Sequence, residues 1–240
     1  MSEEGPRGWG APLYAQALDL AGVGPGTRLL DLGCGPGLFA RAAVDRGALV
    51  TGVDADPSAV VAAAAAVPEG SFQVGDAHDP PPGPFDVVAA VQLLAHVTNP
   101  VVVLRAAARV GAAVVVTVWG GEQECAVRAF GEALAPWLPS RPPRTGPPPI
   151  TSVPRLLRLA DLAGLSIGSV VEVVCPFRYT DAESMIAPLL SSGIGRAAAA
   201  RAGERVVRTA VLDRLAPFRT ESGGYRLDNL FRVLLAHPRA

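Results

Sequence analysis

Along the first half of the chain, apolar runs of strand length repeatedly close on an acid or a glycine, and a helix-forming stretch follows each. The first is Arg28-Leu29-Leu30-Asp31-Leu32-Gly33-Cys34-Gly35-Pro36-Gly37, where three glycines at alternate positions lead into the helix-like Leu38 to Arg46. Leu49-Val50-Thr51-Gly52-Val53-Asp54 repeats the theme, followed by a helix over Pro57–Val67 with Asp56 as cap and Pro57 in its first turn. Phe72–Val74, Phe85–Val91 and Ala112–Val118 read as further buried strands, nearly all apolar as parallel strands covered on both faces should be. A short helix, Pro12 to Ala21, precedes the first strand across the Gly24-Pro25-Gly26 turn, and Pro100–Arg109 is a helix between the fourth and fifth strands.

After Trp119 the pattern changes. Glu122–Leu138 reads as helical, and Pro139–Pro149 carries six prolines, a rigid connector without helix or ladder potential. Thr151–Ala163 is an amphipathic helix closed by Gly164, and Leu165–Val174 is another strand. Asp181–Leu190 and Arg196–Leu215 follow as helices, and Asn229–Ala236 as a final strand. The 240 residues thus read as one α/β domain, 1–240, with helical excursions at 121–164 and 177–224. Ligands of such sheets sit beyond the carboxyl ends of the strands, so excursions there suit a lid on the substrate side.

The glycine-rich turn is where chemistry enters. Glycines permit positive φ angles and a close backbone approach to a ligand, and the helix start adds free N–H groups. Asp54 lies 17 residues after Gly37, about where an acid meets ribose hydroxyls in a strand–helix–strand nucleoside site. A dinucleotide fingerprint fails on Gly33 and Gly35, which put Leu38 at the third place, although Gly35, Gly37 and Ala40 satisfy its looser form. Asp31, ending the first strand, repels a pyrophosphate and welcomes a cationic amino group. Asp76, in Gly75-Asp76-Ala77, is placed to accept a hydrogen bond from an exocyclic amine. Acids closing three successive strands suit a ligand that is cationic at one end and adenine at the other. They count against an NAD-dependent oxidoreductase.

In Leu29–Gly37, Val50–Asp56, Phe72–Ala77 and Phe85–Pro100, taken in that order, the chain resembles the class I SAM-dependent methyltransferases, chiefly the small bacterial UbiE-like type. The resemblance covers residues 9 to 120. It implies a Rossmann-like, seven-stranded, mostly parallel sheet with helices on both faces, and S-adenosylmethionine (SAM) as cofactor, held by residues 1–120. Carried over position by position, Asp31 and the backbone of Gly33, Cys34 and Gly35 face the methionine part, with Gly37 in the same loop. Asp54 holds the ribose hydroxyls, with Ala55 beside the adenine. Asp76 takes the adenine amino group and the Ala77 N–H the ring nitrogen, while Val91 and Gln92 pass close to the sulfonium. One departure is Arg109-Val110-Gly111-Ala112, which replaces the family's Pro-Gly-Gly turn before the fifth strand.

Composition narrows the partners. Formal net charge is −1, without the basic surplus that a phosphate backbone requires, so nucleic acid is not expected as a partner. No apolar run is long enough for a bilayer, and Met1-Ser2-Glu3-Glu4 lacks the basic and apolar regions of a signal peptide; a cytoplasmic location is expected. Cys34, Cys125 and Cys175 have no metal-ligand spacing. All 21 basic residues are arginine, which excludes Schiff-base, pyridoxal and phosphate-loop lysine chemistry.

Methyl transfer needs an aligned nucleophile, exclusion of water and, for some acceptors, a base. From Val87 to Gly121 there is no Asp or Glu, so the magnesium site that catechol-type relatives place after the fourth strand is not expected, and metal-independent chemistry is. His96 is the candidate general base; its structural alternative is a loop residue bonded to backbone. Trp9, Tyr14 and Trp119 are the candidate substrate residues, and Arg128, Arg155, Arg158 and Arg178 are cations able to meet a carboxylate or simply face solvent. The expectation is a SAM-dependent methyltransferase of a small, largely apolar molecule, with O-methylation favoured over N- or C-methylation, in secondary metabolism. Alternatives are a SAM-binding cyclase or rearrangement enzyme of the same fold, a non-catalytic SAM-binding protein, and the NAD-dependent oxidoreductase. Oligomeric state is not legible.

Overall fold

A computed structural model describes residues 5–139 and 149–239. The proline-rich connector lies almost wholly outside the described residues. The strands are β1 (Arg28–Leu32), β2 (Leu49–Asp54), β3 (Ser71–Val74), β4 (Phe85–Val91), β5 (Gly111–Trp119), β6 (Leu165–Tyr179) and β7 (Tyr225–Pro238). They form one seven-stranded sheet in the order β3-β2-β1-β4-β5-β7-β6. β1 to β5 are parallel, and β7 runs antiparallel between β5 and β6. The helices are α1 (Ala11–Leu20), α2 (Leu38–Val44), α3 (Pro57–Ala66), α4 (Pro100–Val110), α5 (Arg128–Leu134), α6 (Val153–Leu162), α7 (Ala182–Ser191), α8 (Gly193–Ala202) and α9 (Glu204–Leu215). The expected Rossmann-like methyltransferase fold is the one observed.

Two hydrophobic cores cover the two faces of the sheet. Successive residues of a strand point to opposite faces, so Leu29 enters one core and Leu30 the other, both fully buried. Leu13, Ala17 and Leu18 of α1 and Phe39 and Ala43 of α2 fill the first core. Leu104 of α4 and Leu156 and Ala160 of α6 fill the second. Helix starts follow the local rules: the Asp56 side chain accepts the Ser58 N–H at 2.8 Å, and Asn99 accepts the Val102 N–H at 3.2 Å.

Several elements differ from the sequence expectation. Glu122–Leu138 is not one helix but a 3-10 turn, the short α5, and a second 3-10 turn over Ala135–Trp137. The Asn229 side chain on β7 accepts the Val127 N–H at 3.0 Å, and that tertiary bond sets where α5 starts. Arg196–Leu215 splits at Gly203, whose φ of +85° breaks the run into α8 and α9. Strand β6 continues to Tyr179 because β7 pairs with it as far as Tyr225. β3 is the sheet edge, with Ser71, Gln73 and Val74 exposed, and not a strand covered on both faces. No helix among the described residues is long and apolar enough to cross a membrane.

One ion network ties the second half together. Arg232 on β7 is 6% exposed and donates to Glu124 Oε1 (2.7 Å), Glu172 Oε1 (3.1 Å) and the Thr151 carbonyl (2.5 Å). Its partners are half-exposed, so the pairing is worth less than a fully buried one, but removing the guanidinium orphans a carbonyl and two carboxylates at once. Arg232→Met is expected to lower unfolding free energy in urea by roughly 1–3 kcal/mol. An unchanged midpoint would show the network to be idle.

Candidate functional site

β1 and β4 are neighbours whose connections leave to opposite sides, one toward β2 and the other toward β5, so a crevice opens beyond their carboxyl ends. A cavity of about 690 Å³ occupies it, and Asp31, Gly33, Cys34, Gly35, Asp54, Ala55, Asp76, Ala77, Val91 and Gln92 line it together with Trp9, Tyr14 and His96. Of the candidate cofactor, substrate and base residues, Gly37 and Trp119 are outside that lining, as are the four arginines. Gly37 sits at the start of α2 with φ +86°, and a Cβ there would press on the Ala63 Cα at 3.1 Å. The Cα face of Gly37 therefore packs against α3.

The turn after β1 is bound to the end of β2. The Gly33 and Cys34 N–H groups donate to the Val53 carbonyl at 2.7 and 3.0 Å, and φ values of +69° at Gly33 and +51° at Gly35 shape the bend. Asp54 then closes it from the other side. Its Oδ2 accepts the Gly35 N–H at 2.8 Å and its Oδ1 the Asp56 N–H at 2.9 Å. Each oxygen retains a lone pair for a ligand hydroxyl.

Asp31 is the most unusual group in the cavity. It is 1% exposed, and neither carboxyl oxygen has a hydrogen-bond partner among the described residues. Burial first, then the charge of Asp54, pushes its pKa from 3.8 up to about 8. Such an orphaned acid is costly unless a partner arrives, and a cation in the cavity would be that partner. Cys34 beside it is held as a thiol, pushed up to about 12 by burial and by the charges of Asp31 and Asp54, so thiolate chemistry is not available.

Asp76 at the far end pairs with His78. Its Oδ1 accepts the His78 N–H at 2.9 Å and lies 2.6 Å from the ring Nδ1, and these bonds hold the carboxyl below its usual range. The other ring nitrogen, Nε2, is buried without a partner among the described residues, and His78 lines the cavity. In the sequence, the only sign of this pairing is the spacing of His78 two residues after Asp76.

At the opposite end, Gln92 takes φ +54°, an uncommon conformation for a residue with a side chain. Buried Thr117 fixes it there: the Thr117 hydroxyl lies 3.0 Å from both the backbone N and Nε2 of Gln92. Thr117 went unnoticed because a lone Thr in Val114–Val118 reads as an ordinary strand residue. His96 is exposed on the rim, its N–H bonded to the Leu93 carbonyl at 2.8 Å. Tyr14 rests edge-on against Phe39, centroids 5.8 Å apart.

Trp119 belongs to a second cavity of about 430 Å³, which shares Gln92, Val97 and Thr98 with the first. Trp9 and Trp119 stack at 6.0 Å, and both contact Phe177 and Phe231. Of the excursions at 121–164 and 177–224, only 149–151 and Arg155 appear among the described residues lining either cavity. Of the other three arginines, Arg128 is paired with Glu132, and Arg158 and Arg178 line neither cavity. Among the described residues, no three His, Cys, Asp or Glu side chains are grouped to hold a metal ion.

Residues 30–113 match the family model of the methyltransferase domain. That match spans about a third of the chain, and the fold around it is the Rossmann-like methyltransferase fold. Among curated relatives, the ubiquinone biosynthesis O-methyltransferase of Xanthomonas campestris pv. campestris (strain B100) is 40% identical over 91 residues, which are 35% of this chain and 38% of that protein. The likeness therefore spans well under half the length of this relative. Two solved structures share the fold. The cyclase SpnF superposes with TM-score 0.60 at 23% identity, covering 95% of this chain and 81% of that one. A TehB-like SAM-dependent methyltransferase from Corynebacterium glutamicum ATCC 13032 gives TM-score 0.52 at 18% identity, covering 94% and 87%.

Proposed function

We propose that this chain binds SAM in the larger cavity and transfers its methyl group to a small, largely apolar molecule, most readily to an oxygen and without a metal ion. The observation that carries the reading is the partnerless Asp31 carboxyl in a cavity that also presents Asp54 and Asp76. A ligand with an ammonium, a ribose and an adenine satisfies all three. The methyltransferase-domain match over residues 30–113 and the likeness to an O-methyltransferase support the choice of cofactor and acceptor atom. A cytoplasmic role in secondary metabolism is part of the same proposal, on composition and family likeness.

SAM supplies an electrophilic methyl on a sulfonium. In this reading the chain does the rest. Asp31 gives up its proton and holds the ammonium, Asp54 holds the ribose hydroxyls while keeping the glycine turn in place, and Asp76 with the Ala77 N–H reads the adenine edge. Gln92, locked by Thr117, forms the wall between the two cavities and so orients the acceptor toward the methyl. His96, on the rim, would take the proton of an acceptor hydroxyl, the methyl coming from the sulfonium that SAM would supply and the leaving electron pair staying on its sulfur.

Calorimetric titration of the protein with S-adenosylhomocysteine and, separately, NAD⁺ tests the reading. Binding of the first near ~1 μM and not of the second is expected. Failure of S-adenosylhomocysteine to bind would sink it, and NAD⁺ binding would move the site to oxidoreductase chemistry. Acceptor turnover without consumption of SAM would assign a rearrangement in place of methyl transfer. Once an acceptor is found, EDTA is expected to leave turnover unchanged; activity restored only by added Mg²⁺ would overturn the metal-independent part.

A further inference from the structure

The second cavity is lined by a cation whose Nε no described residue satisfies. Arg155, in the first turn of α6, lines it, and its Nε is buried without a hydrogen-bond partner among the described residues. Arg232 offers the contrast within the same molecule: its Nε and both terminal nitrogens are bonded. An unmade hydrogen bond from a buried guanidinium N–H is costly, and neither Asp nor Glu appears among the described residues lining this cavity. The remaining wall is mostly apolar, with Leu94, Val97, Val118, Trp119, Pro100 and Ile150.

We propose that this cavity is the acceptor subsite and that Arg155 makes it selective for an apolar ring system bearing a carboxylate. The proposal rests on the larger cavity being the cofactor site. Gln92, Val97 and Thr98 face both cavities, so a molecule in the smaller one abuts the end of the larger where Val91 and Gln92 lie. Its carboxylate meets Arg155 and its reactive atom meets the Gln92 end, with the apolar body between them against Trp119. The planar guanidinium fork suits a carboxylate better than a point charge would, and the positive end of α6 favours an anion in the same place.

The test compares two probes with the same apolar body, naphthoate and naphthamide, titrated calorimetrically into protein saturated with S-adenosylhomocysteine. Wild type is expected to bind naphthoate roughly tenfold to a hundredfold more tightly than naphthamide. Arg155→Gln is expected to erase that preference without changing naphthamide or S-adenosylhomocysteine affinity, and Arg155→Lys to restore part of it. Equal affinities in wild type, no saturable naphthoate binding, or an undiminished preference in Arg155→Gln would each overturn the proposal. Ile150→Trp, which fills the cavity from a different element, is expected to abolish binding of both probes; naphthoate binding retained there overturns the location. S-adenosylhomocysteine titrations on the same samples separate the two readings. Its failure to bind with the naphthoate preference intact overturns the cofactor reading and supports the anion subsite; its binding with no preference overturns the subsite alone.

Discussion

Asp54→Ala is expected to weaken S-adenosylhomocysteine binding by roughly a hundredfold or more, the largest affinity loss of any single change in the cavity. Two separate functions disappear with the carboxylate. Each oxygen accepts a backbone N–H, from Gly35 and from Asp56, so the side chain holds the glycine-rich turn against β2. In the proposed complex the remaining lone pairs also receive the ribose hydroxyls. A hydrogen bond to an ionised acceptor is worth about 1.5–3 kcal/mol, so losing two of them already accounts for a hundredfold. Asp54→Asn separates the roles. Its amide oxygen still accepts one N–H while its NH₂ opposes the other, and an intermediate loss of about tenfold is expected. Calorimetry on both variants checks this, with circular dichroism to confirm that the sheet survives. Unchanged affinity in Asp54→Ala would show that the ribose assignment is wrong.

Asp31→Asn is expected to raise the stability of the unliganded protein above neutral pH while lowering its affinity for S-adenosylhomocysteine. The sign follows from the proton count. Burial, then the Asp54 charge, raises the Asp31 pKa from 3.8 to about 8. Between those values the native state keeps a proton that the unfolded state has lost, so wild-type stability falls as pH rises through this window, and the whole penalty is present above about pH 8. The step from 3.8 to about 8 corresponds to on the order of 5 kcal/mol. The neutral, near-isosteric Asn removes it. Urea unfolding of both proteins at about pH 5 and about pH 8.5 should show wild type losing ground to the variant; parallel behaviour would sink the assignment. Ligand reverses the preference, because an ammonium beside Asp31 favours its ionised form. Binding below pH 8 should then release a proton, visible as a dependence of the apparent enthalpy on buffer, and Asp31→Asn should bind more weakly and without that release.

Much of this site is legible in the chain because it is built from local backbone. A strand that ends in Asp31, a turn that needs positive φ at Gly33 and Gly35, and a helix that starts at Leu38 are consecutive in sequence. The same holds at Asp54 and at Asp76. Parallel strands in register bring their ends to one edge, so residues that close three strands must approach one another, and they do line one cavity. Gly37 shows the limit of this reasoning. The third glycine of the turn also has Ala63 of α3 as its neighbour, a contact invisible in the local pattern.

What the amino-acid order determined by itself is therefore the α/β alternation, the carboxyl-edge acids, the helix cap at Asp56, and the exclusion of lysine chemistry. All of these depend on residues within a turn or two of one another, or on composition. Tertiary structure alone decided that Thr117 locks Gln92, that Asn229 sets the start of α5, that Trp119 faces a second cavity, and that Arg232 is fully bonded while the Nε of Arg155 is not. These follow from strands and helices far apart in the chain meeting at fixed register. A side chain's burial and partners are properties of that meeting, and no residue-by-residue pattern carries them.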